Sequence, residues 1–476
     1  NIHGVFLAKI DSTGNIIWWK SARSATANNV PIPWNMVVKD NKITIAFDIT
    51  FGSWLYFFDT LLTSSCEHFY QGAKNTYFVT FDFDGNQLDI HDIRLFALDG
   101  YPGESSSTSF YNYKLGGSCY SRFGIDEDNN IHIFSCSSNL WGDSLHRPYI
   151  LVDGDTNRRY QLNIRTMNSI SFSTSVYFKM DSNWTLQTSR YMIDSIAGWQ
   201  LDHWGPLANL HFEHVIIDRD ELYINGVFDC INAYFIEQEL ADSATFAATI
   251  YLDSVHYLQA SCLSNFSLMP FLIKMNKTGD IEWVQQIYTE SPEYDHHSFR
   301  HFGEVNGGLS LDEDYVYTNC EAFDGSNGII ASTYFFFLDS AHTIPISVPV
   351  IQFNLTTCYD RNTGTPVNFY IHDSENRSTH GDLAIVDNEI ILHDAFTLLG
   401  KTVIGKINKH TKEVTNVFPI DYGWIIGSDH MSISDNGWIF RGEHGDRTYV
   451  NDSIFVGNYS KAAVMTFYYD SSLDLR

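Results

Sequence analysis

The chain has 476 residues, 44% hydrophobic, 15% aromatic and only 18% charged, and 57 acidic against 29 basic residues give a formal net charge of -28. That composition argues against disorder and for many short strands, since aromatic and β-branched side chains fit a pleated, half-buried surface. A polyanion repels phosphate backbones and anionic lipid, so nucleic acid and membrane surfaces are disfavoured as partners.

The first predicted element is a hairpin. Phe6-Leu-Ala-Lys9-Ile-Asp11-Ser-Thr-Gly14-Asn-Ile-Ile-Trp18 reads as a strand, a tight turn and a returning strand. Gly14 supplies the positive φ of a short hairpin loop, and Asp11 bonds back to turn amides. The pattern returns without a gap at Phe271-Leu-Ile-Lys274-Met-Asn276-Lys-Thr-Gly279-Asp-Ile-Glu-Trp283, and a third copy runs from Tyr77 through Asp82 and Gly85 to Asp89. Looser copies start near Val176 (turn at Asp181), Val350 (turn near Asn354), Val403 (turn at Asn408) and Met465 (turn at Asp470). Asp82-Phe-Asp84-Gly-Asn86 has a calcium-loop flavour, yet it is too short for an EF-hand and lacks the distal Glu, so it reads as a turn.

A second hairpin type interleaves with the first: an apolar strand, an acidic turn and an alternating strand. It begins at Met36-Val-Val-Lys-Asp40 with Lys42 to Phe47, and recurs around Asp126, Asp218, Asp312, Asp387 and Asp435. Two hairpins per unit make a four-stranded antiparallel blade, which buries its faces only against neighbours. The expected fold is therefore all-β, a single β-propeller domain over 1–476. Seven blades are preferred and six are the alternative. Residues 1–35 form the outer hairpin of a closing blade that is incomplete in this chain, and 36–476 form six further blades.

Turns inside the hairpins are short, whereas connections between hairpins are long, as in Phe47 to Tyr77, Leu95 to Tyr120, Ser137 to Val176, Phe228 to Phe271 and Phe323 to Val350. In an up-and-down blade these two kinds of connection emerge on opposite faces, so the elaboration falls on one face, where function is expected. Within those connections Asp59-Thr60-Leu61, Asp253-Ser254-Val255, Asp339-Ser340-Ala341 and Asp452-Ser453-Ile454 share an Asp-Ser/Thr-aliphatic core, which reads as the turn of a small accessory hairpin.

No apolar run spans a bilayer. The first residues show no signal-peptide pattern, and a start almost inside a strand suggests a processed or partial product. Seven cysteines show no zinc spacing. Cys119 and Cys136 flank the turn at Asp126 to Asn130 almost symmetrically and are the best candidate disulfide. Cys230 with Cys262 and Cys320 with Cys358 are weaker pairs, leaving Cys66 over. A disulfide would place the protein outside a reducing compartment.

The units around residues 5–20, 57–90 and 250–285 resemble the SBBP-type β-propeller repeats of secreted Bacteroidota proteins. The resemblance implies an exported, cell-surface protein of the type IX secretion kind, without catalytic residues in the repeats. It also implies O-linked glycans on the Asp-Ser/Thr-aliphatic motifs, with Thr60, Ser254, Ser340 and Ser453 as candidates beside Ser195 and Ser243.

No nucleophile elbow, phosphate loop, dinucleotide fingerprint or His-Glu-x-x-His motif occurs. Two histidine-rich stretches fall on the elaborated connections: His203 with His214, and His296, His297 and His301. Three histidines with a carboxylate would suit a divalent transition metal, the one cofactor the sequence suggests; scattered loop packing is the plainer reading. Trp34, Trp141, Trp199, Trp204 and Tyr294 would stack on sugar rings or anchor a partner, or else form internal loop cores. The expectation is a non-catalytic extracellular scaffold for adhesion to a surface protein or glycan. The rivals are a polysaccharide-active propeller enzyme and a structural subunit of a larger surface complex.

Overall fold

A computed structural model of the chain describes residues 4–11, 16–24, 32–50, 54–57, 60–63, 74–96, 121–137, 149–161, 174–193, 195–197, 207–231, 246–262, 268–290, 308–323, 333–337, 343–346, 352–373, 382–398, 401–422, 430–434, 437–444, 447–450, 453–456 and 463–469. Every regular element among them is a β-strand. By contact the chain divides into two compact units, 1–222 with 250–257 and 275–281, and 223–249 with 258–274 and 282–476.

In the first unit the opening sheet orders Gly4–Ile10, Ile16–Ser24, Trp54–Phe57 and Thr60–Thr63. The second sheet orders Ile32–Lys39, Lys42–Thr50, Lys74–Asp82, Gln87–Phe96, Tyr149–Val152 and Asp155–Gln161. The third orders Arg122–Ile125, Ile131–Ser137, Thr174–Met180 and Leu186–Tyr191. In the second unit residues 223–231, 268–274 and 282–290, then Thr333–Phe337 and Thr343–Ile346, are successive neighbours. A sheet of Leu309–Leu311, Tyr315–Phe323, Gln352–Asp360 and Pro366–Asp373 follows. Next come Asp382–Val386, Glu389–Leu398, Lys401–Asn408, Val414–Tyr422, Arg447–Val450 and Ser453–Val456, and finally His430–Ser434, Gly437–His444 and Ala463–Tyr469. The four- and six-stranded sheets after the opening one are antiparallel meanders built on the two hairpin types, the blade unit the repeats predict.

The sheets stack face to face within each unit. Ile43, Ile45 and Phe47 alternate with Thr44, Ala46 and Asp48, so the second sheet has two apolar faces. One packs Ile43, Ile45, Phe47, Tyr77, Val79 and Phe81 against Leu7 and Trp18 of the opening sheet. The other packs Trp34, Ala46, Phe78 and Ile93 against Phe123, Ile133, Val176 and Phe178 of the third. In the second unit Tyr317, Cys358 and Tyr370 meet Leu383, Ile390, Leu392 and Ile407 in the same way.

The outer-hairpin turns explain the Asp and Gly of the repeat. Asp82 Oδ1 accepts from the Asp84 and Asn86 amides at 2.9 and 2.8 Å, Asp181 Oδ1 from Asn183 and Thr185, Asn276 Oδ1 from Thr278 and Asp280, and Asn408 Oδ1 from His410 and Thr411. Gly85 (φ 82°), Gly279 (φ 93°) and Gly364 (φ 71°) take the left-handed station, where a side chain is strained. Trp184 (φ 61°) and Lys412 (φ 62°) hold it without being glycine. The remaining Asp82 oxygen takes the Asn86 Nδ2 at 2.8 Å, so this carboxylate is committed to its own turn.

The Lys and Trp of the repeat are latches to the next sheet. Lys9 Nζ and Trp18 Nε1 both donate to Phe83 O at 2.9 Å. Lys274 Nζ and Trp283 Nε1 both donate to Arg361 O at 3.1 Å, and Lys179 Nζ donates to Lys277 O at 2.8 Å. Aromatic side chains of the same hairpins then lie on the next turn's glycine: Trp18 on Gly85, Tyr177 on Gly279 and Trp283 on Gly364. Where Trp184 replaces the glycine, it supplies the ring itself and packs against Phe78 and His91 of the sheet before it.

The accessory hairpins pair backwards. After Lys42–Thr50 the chain leaves the second sheet, adds Trp54–Phe57 to the opening sheet with Ala22 opposite Phe57, and returns at Lys74–Asp82. The same detour puts Val152 opposite Ile93, Phe337 opposite Ile287 and Val450 opposite Ile420. Between Leu398 and Lys401 only residues 399–400 intervene, and the sheet ending in Pro366–Asp373 has no such hairpin among the described residues.

Two expectations change. The turn expected near Asn354 lies at Asp360 to Thr365, because Asn354 sits mid-strand opposite Glu321 and His372 while Asp360 makes the turn bonds. Cys320 and Cys358 do not form a disulfide: both are buried thiols, and the register sets Cys320 opposite Leu355 and Cys358 opposite Tyr317. Cys119, Cys66 and the turn at Asp470 lie outside the described residues.

Candidate functional site

Of the predicted binding residues, Trp34 is corrected. It is 8% exposed, with its ring edge-on to Phe78 at 5.7 Å, so it belongs to the core between the second and third sheets and presents nothing to a ligand. The adjacent Asn35 seals this seam: its Nδ2 donates to Phe123 O at 2.8 Å and its Oδ1 accepts from Phe123 N at 3.0 Å. His214 lies half-buried within Leu207–Asp218. Trp141, Trp199, Trp204, Tyr294, His203, His296, His297 and His301 lie outside the described residues. Among the described residues no three His, Cys, Asp or Glu side chains are grouped to hold a metal.

The strand order fixes where loops emerge. Among the described residues short turns close the inner and outer hairpins, at Asp40 and Asn41, Asp82 to Asn86, Asp126 to Asn130 and Asp181 to Thr185, for instance. Because neighbouring strands are antiparallel, these turns share one end of each sheet, and every longer connection leaves from the other. The elaborated end expected from the sequence is therefore real within each unit.

Three clusters of ionisable groups in the described residues have the most strongly engaged carboxylates. His91 stands between Asp89, 2.9 Å from its Nε2, and Asp153, 3.0 Å from its Nδ1, with its ring 4.7 Å from Trp184. Asp153 also receives Arg158 Nη1 at 2.5 Å and the Asp92 amide at 3.0 Å. Burial alone would depress the His91 pKa, but the bonds and charges of Asp153 and Asp89 outweigh it and raise it. This charged clasp ties the accessory hairpin and the third sheet's turn to Gln87–Phe96.

The second cluster is sealed. His132 is fully buried, with Nε2 3.0 Å from Asp126 Oδ2 and Nδ1 2.9 Å from the Tyr177 hydroxyl. Burial opposes the charge on Asp126, but bonds from His132 and Asn130 hold it well below the usual carboxylate range. Burial likewise depresses His132 and raises Tyr177, so Asp126 carries the charge and the ring stays neutral. The order Tyr-His-Asp imitates a proton relay. Both ring nitrogens are taken and the ring is fully buried, so it acts as a structural tie.

In the second unit Asp312 Oδ2 accepts from the Tyr317 hydroxyl and Lys409 Nζ, each at 2.9 Å, beside Cys358, whose thiol burial pushes up to about 12. Nearby, Asn225, Phe271, Gln285, Thr318, Asn319 and Tyr359 help line a cavity of mixed polarity of about 10 Å³, room for one water and too small for an organic ligand. Neither the three clusters nor this cavity were legible as sites in the sequence. Asp126 and Asp312 were visible only as turn residues.

No protein-family profile and no curated protein matches the chain. Among solved structures, "NanB plus Optactamide" is similar over 98% of this chain and 70% of that one, at 9% identity and a TM-score of 0.38. A Pyrococcus horikoshii acylaminoacyl peptidase is similar over 92% and 57%, at 8% identity and a TM-score of 0.30. The Dos1 propeller is similar over 89% and 94%, at 8% identity and a TM-score of 0.26. Likenesses this slight say nothing about activity.

Proposed function

We propose that the chain is a non-catalytic, extracellular binding scaffold: a propeller whose long aromatic connections meet a surface protein or a glycan. One observation carries this reading. The short, self-bonded turns gather at one end of each sheet, so all variation in length falls at the other. Rigid sheets that carry variable loops at one end are a usual platform for recognition. On this reading Trp141, Trp199, Trp204 and Tyr294 supply the contacts, a Cys119–Cys136 disulfide and export go with the surface setting, and Thr60, Ser254, Ser340 and Ser453 carry glycans. Ser254 is exposed at the tip of a turn in which Asp253 Oδ1 holds the Val255 and His256 amides at 2.8 and 2.6 Å, which supports that assignment.

A glycan array probed with the full chain and with a variant carrying alanine at Trp141, Trp199, Trp204 and Tyr294 tests the proposal. Saturable binding that the variant loses, with no sugar released, supports it. Release of reducing ends from any arrayed polysaccharide, abolished by EDTA or by substituting His296 and His297, would replace it with the enzyme reading.

A further inference from the structure

Two neighbouring glutamines on Ile281–Glu290 have different surroundings, since successive strand residues point to opposite faces. Gln286 commits its whole carboxamide to the accessory hairpin: its Nε2 donates to Gln259 O at 2.5 Å and its Oε1 accepts from Gln259 N at 2.7 Å. Gln285 is 7% exposed, yet among the described residues no donor reaches its Oε1. A buried carboxamide oxygen without a donor costs free energy, so folded proteins pair such atoms with protein groups or with bound water.

Gln285 lines the cavity of about 10 Å³ in the second unit, together with Asn225 of its own sheet and Thr318 and Asn319 of the next. The matching seam of the first unit is apolar. Ala46 is the fifth residue of Lys42–Thr50, and Asn225 is the fifth of Glu221–Ile231. Ile133 follows the histidine bonded to Asp126, and Thr318 follows the tyrosine bonded to Asp312. An Ala and an Ile that help close the first seam are thus an Asn and a Thr in the second, both buried. Polar side chains on both walls and an unmatched acceptor between them meet at one hole.

We propose that this cavity is the binding site of one resident water molecule, which donates to Gln285 Oε1 and bridges the two sheets through Asn225 and Thr318. A buried water keeps about three hydrogen bonds, and this wall offers carboxamides and a hydroxyl for them. The volume excludes larger molecules. The lining residues include no carboxylate, so a cation would lose its hydration without a countercharge. The second unit's seam is therefore water-bridged where the first is closed by apolar side chains. This site has no part in the ligand reading of the long connections.

A high-resolution crystal structure of the full chain should show one density peak in the cavity, within hydrogen-bond distance of Gln285 Oε1. Gln285→Met keeps the side chain's shape and removes the acceptor. The peak should then be lost and the urea midpoint should fall, because the bridge goes with it. Without a resident water the same swap would only remove an unmatched buried acceptor, and the midpoint would rise. Three results overturn the proposal. The first is an empty cavity in the parent chain. The second is a raised or unchanged midpoint in folded Gln285→Met. The third is anomalous scattering at the peak from crystals soaked in rubidium chloride, which would make the ligand a monovalent cation. Should Gln285→Met fail to fold, the parent's density and the rubidium soak decide alone.

Discussion

Gly279→Ala tests the inter-sheet latch directly. Gly279 has φ 93°, where an L-residue is strained by about 1–2 kcal/mol. The added Cβ would also stand 2.5 Å from Tyr177 Cε1. Tyr177 cannot swing away, because it is fully buried and its hydroxyl is held by His132 Nδ1 at 2.9 Å. Overpacking of a fixed ring adds about 1–3 kcal/mol, for a total near 2–5 kcal/mol. Urea unfolding of the full chain, followed by Tyr and Trp fluorescence, reads the loss, and hydrogen exchange should place it in the first unit. Lys412→Gly is the control: it occupies the corresponding left-handed station, so relief of strain should stabilise by about 1 kcal/mol. A Gly279→Ala variant within about 0.5 kcal/mol of the parent would refute the idea that the glycine is required by its neighbour's ring.

Other outcomes follow from the same contacts. The raised His91 pKa means its clasp contributes fully below the unfolded value of about 6.5 and fades as pH rises through the higher folded value, so the stability gap between parent and His91→Gln should narrow from pH 6 to 8; NMR titration of the ring should show the raised midpoint, and a midpoint at or below 6.5 contradicts it. Trp34→Ala should cost about 3–5 kcal/mol in urea unfolding, as a core deletion does, and a near-neutral result would return Trp34 to the surface. Buried Cys320 and Cys358 should stay inert to a thiol reagent until the chain unfolds, and prompt labelling of either would contradict their burial.

The hairpins were legible because each carries its own instructions. Asp82, Asn276 and Gly279 make bonds and take angles within a few residues of themselves, and such turn chemistry shows in a single sequence. The spacing of Lys9 and Trp18 repeated just as plainly, but its purpose did not show: both reach Phe83 O, far along the chain. The Asp-Ser/Thr turns announced accessory hairpins, yet nothing local tells that Trp54–Phe57 joins the sheet behind it. Trp34 misled for a related reason. It precedes the predicted strand by two residues and looked like a loop aromatic, while Ile32–Lys39 begins earlier and buries it. The turn misplaced to Asn354 shows the opposite hazard, since an Asn inside a strand can imitate a turn signal when the true Gly364 lies further on.

The backward-pairing hairpins bear on how such a chain could have grown. A sheet is not a module that can be cut out between its neighbours, because residues 54–63 belong by sequence to one sheet and by pairing to the one before. Deleting a sheet that lends such a hairpin, with its loops, would strip an edge from its predecessor. Duplication in whole units therefore has to start and stop inside a connection, between a hairpin lent backwards and the strand at which the chain resumes. The space between Leu398 and Lys401, too short for any hairpin, marks a place where that lending has lapsed.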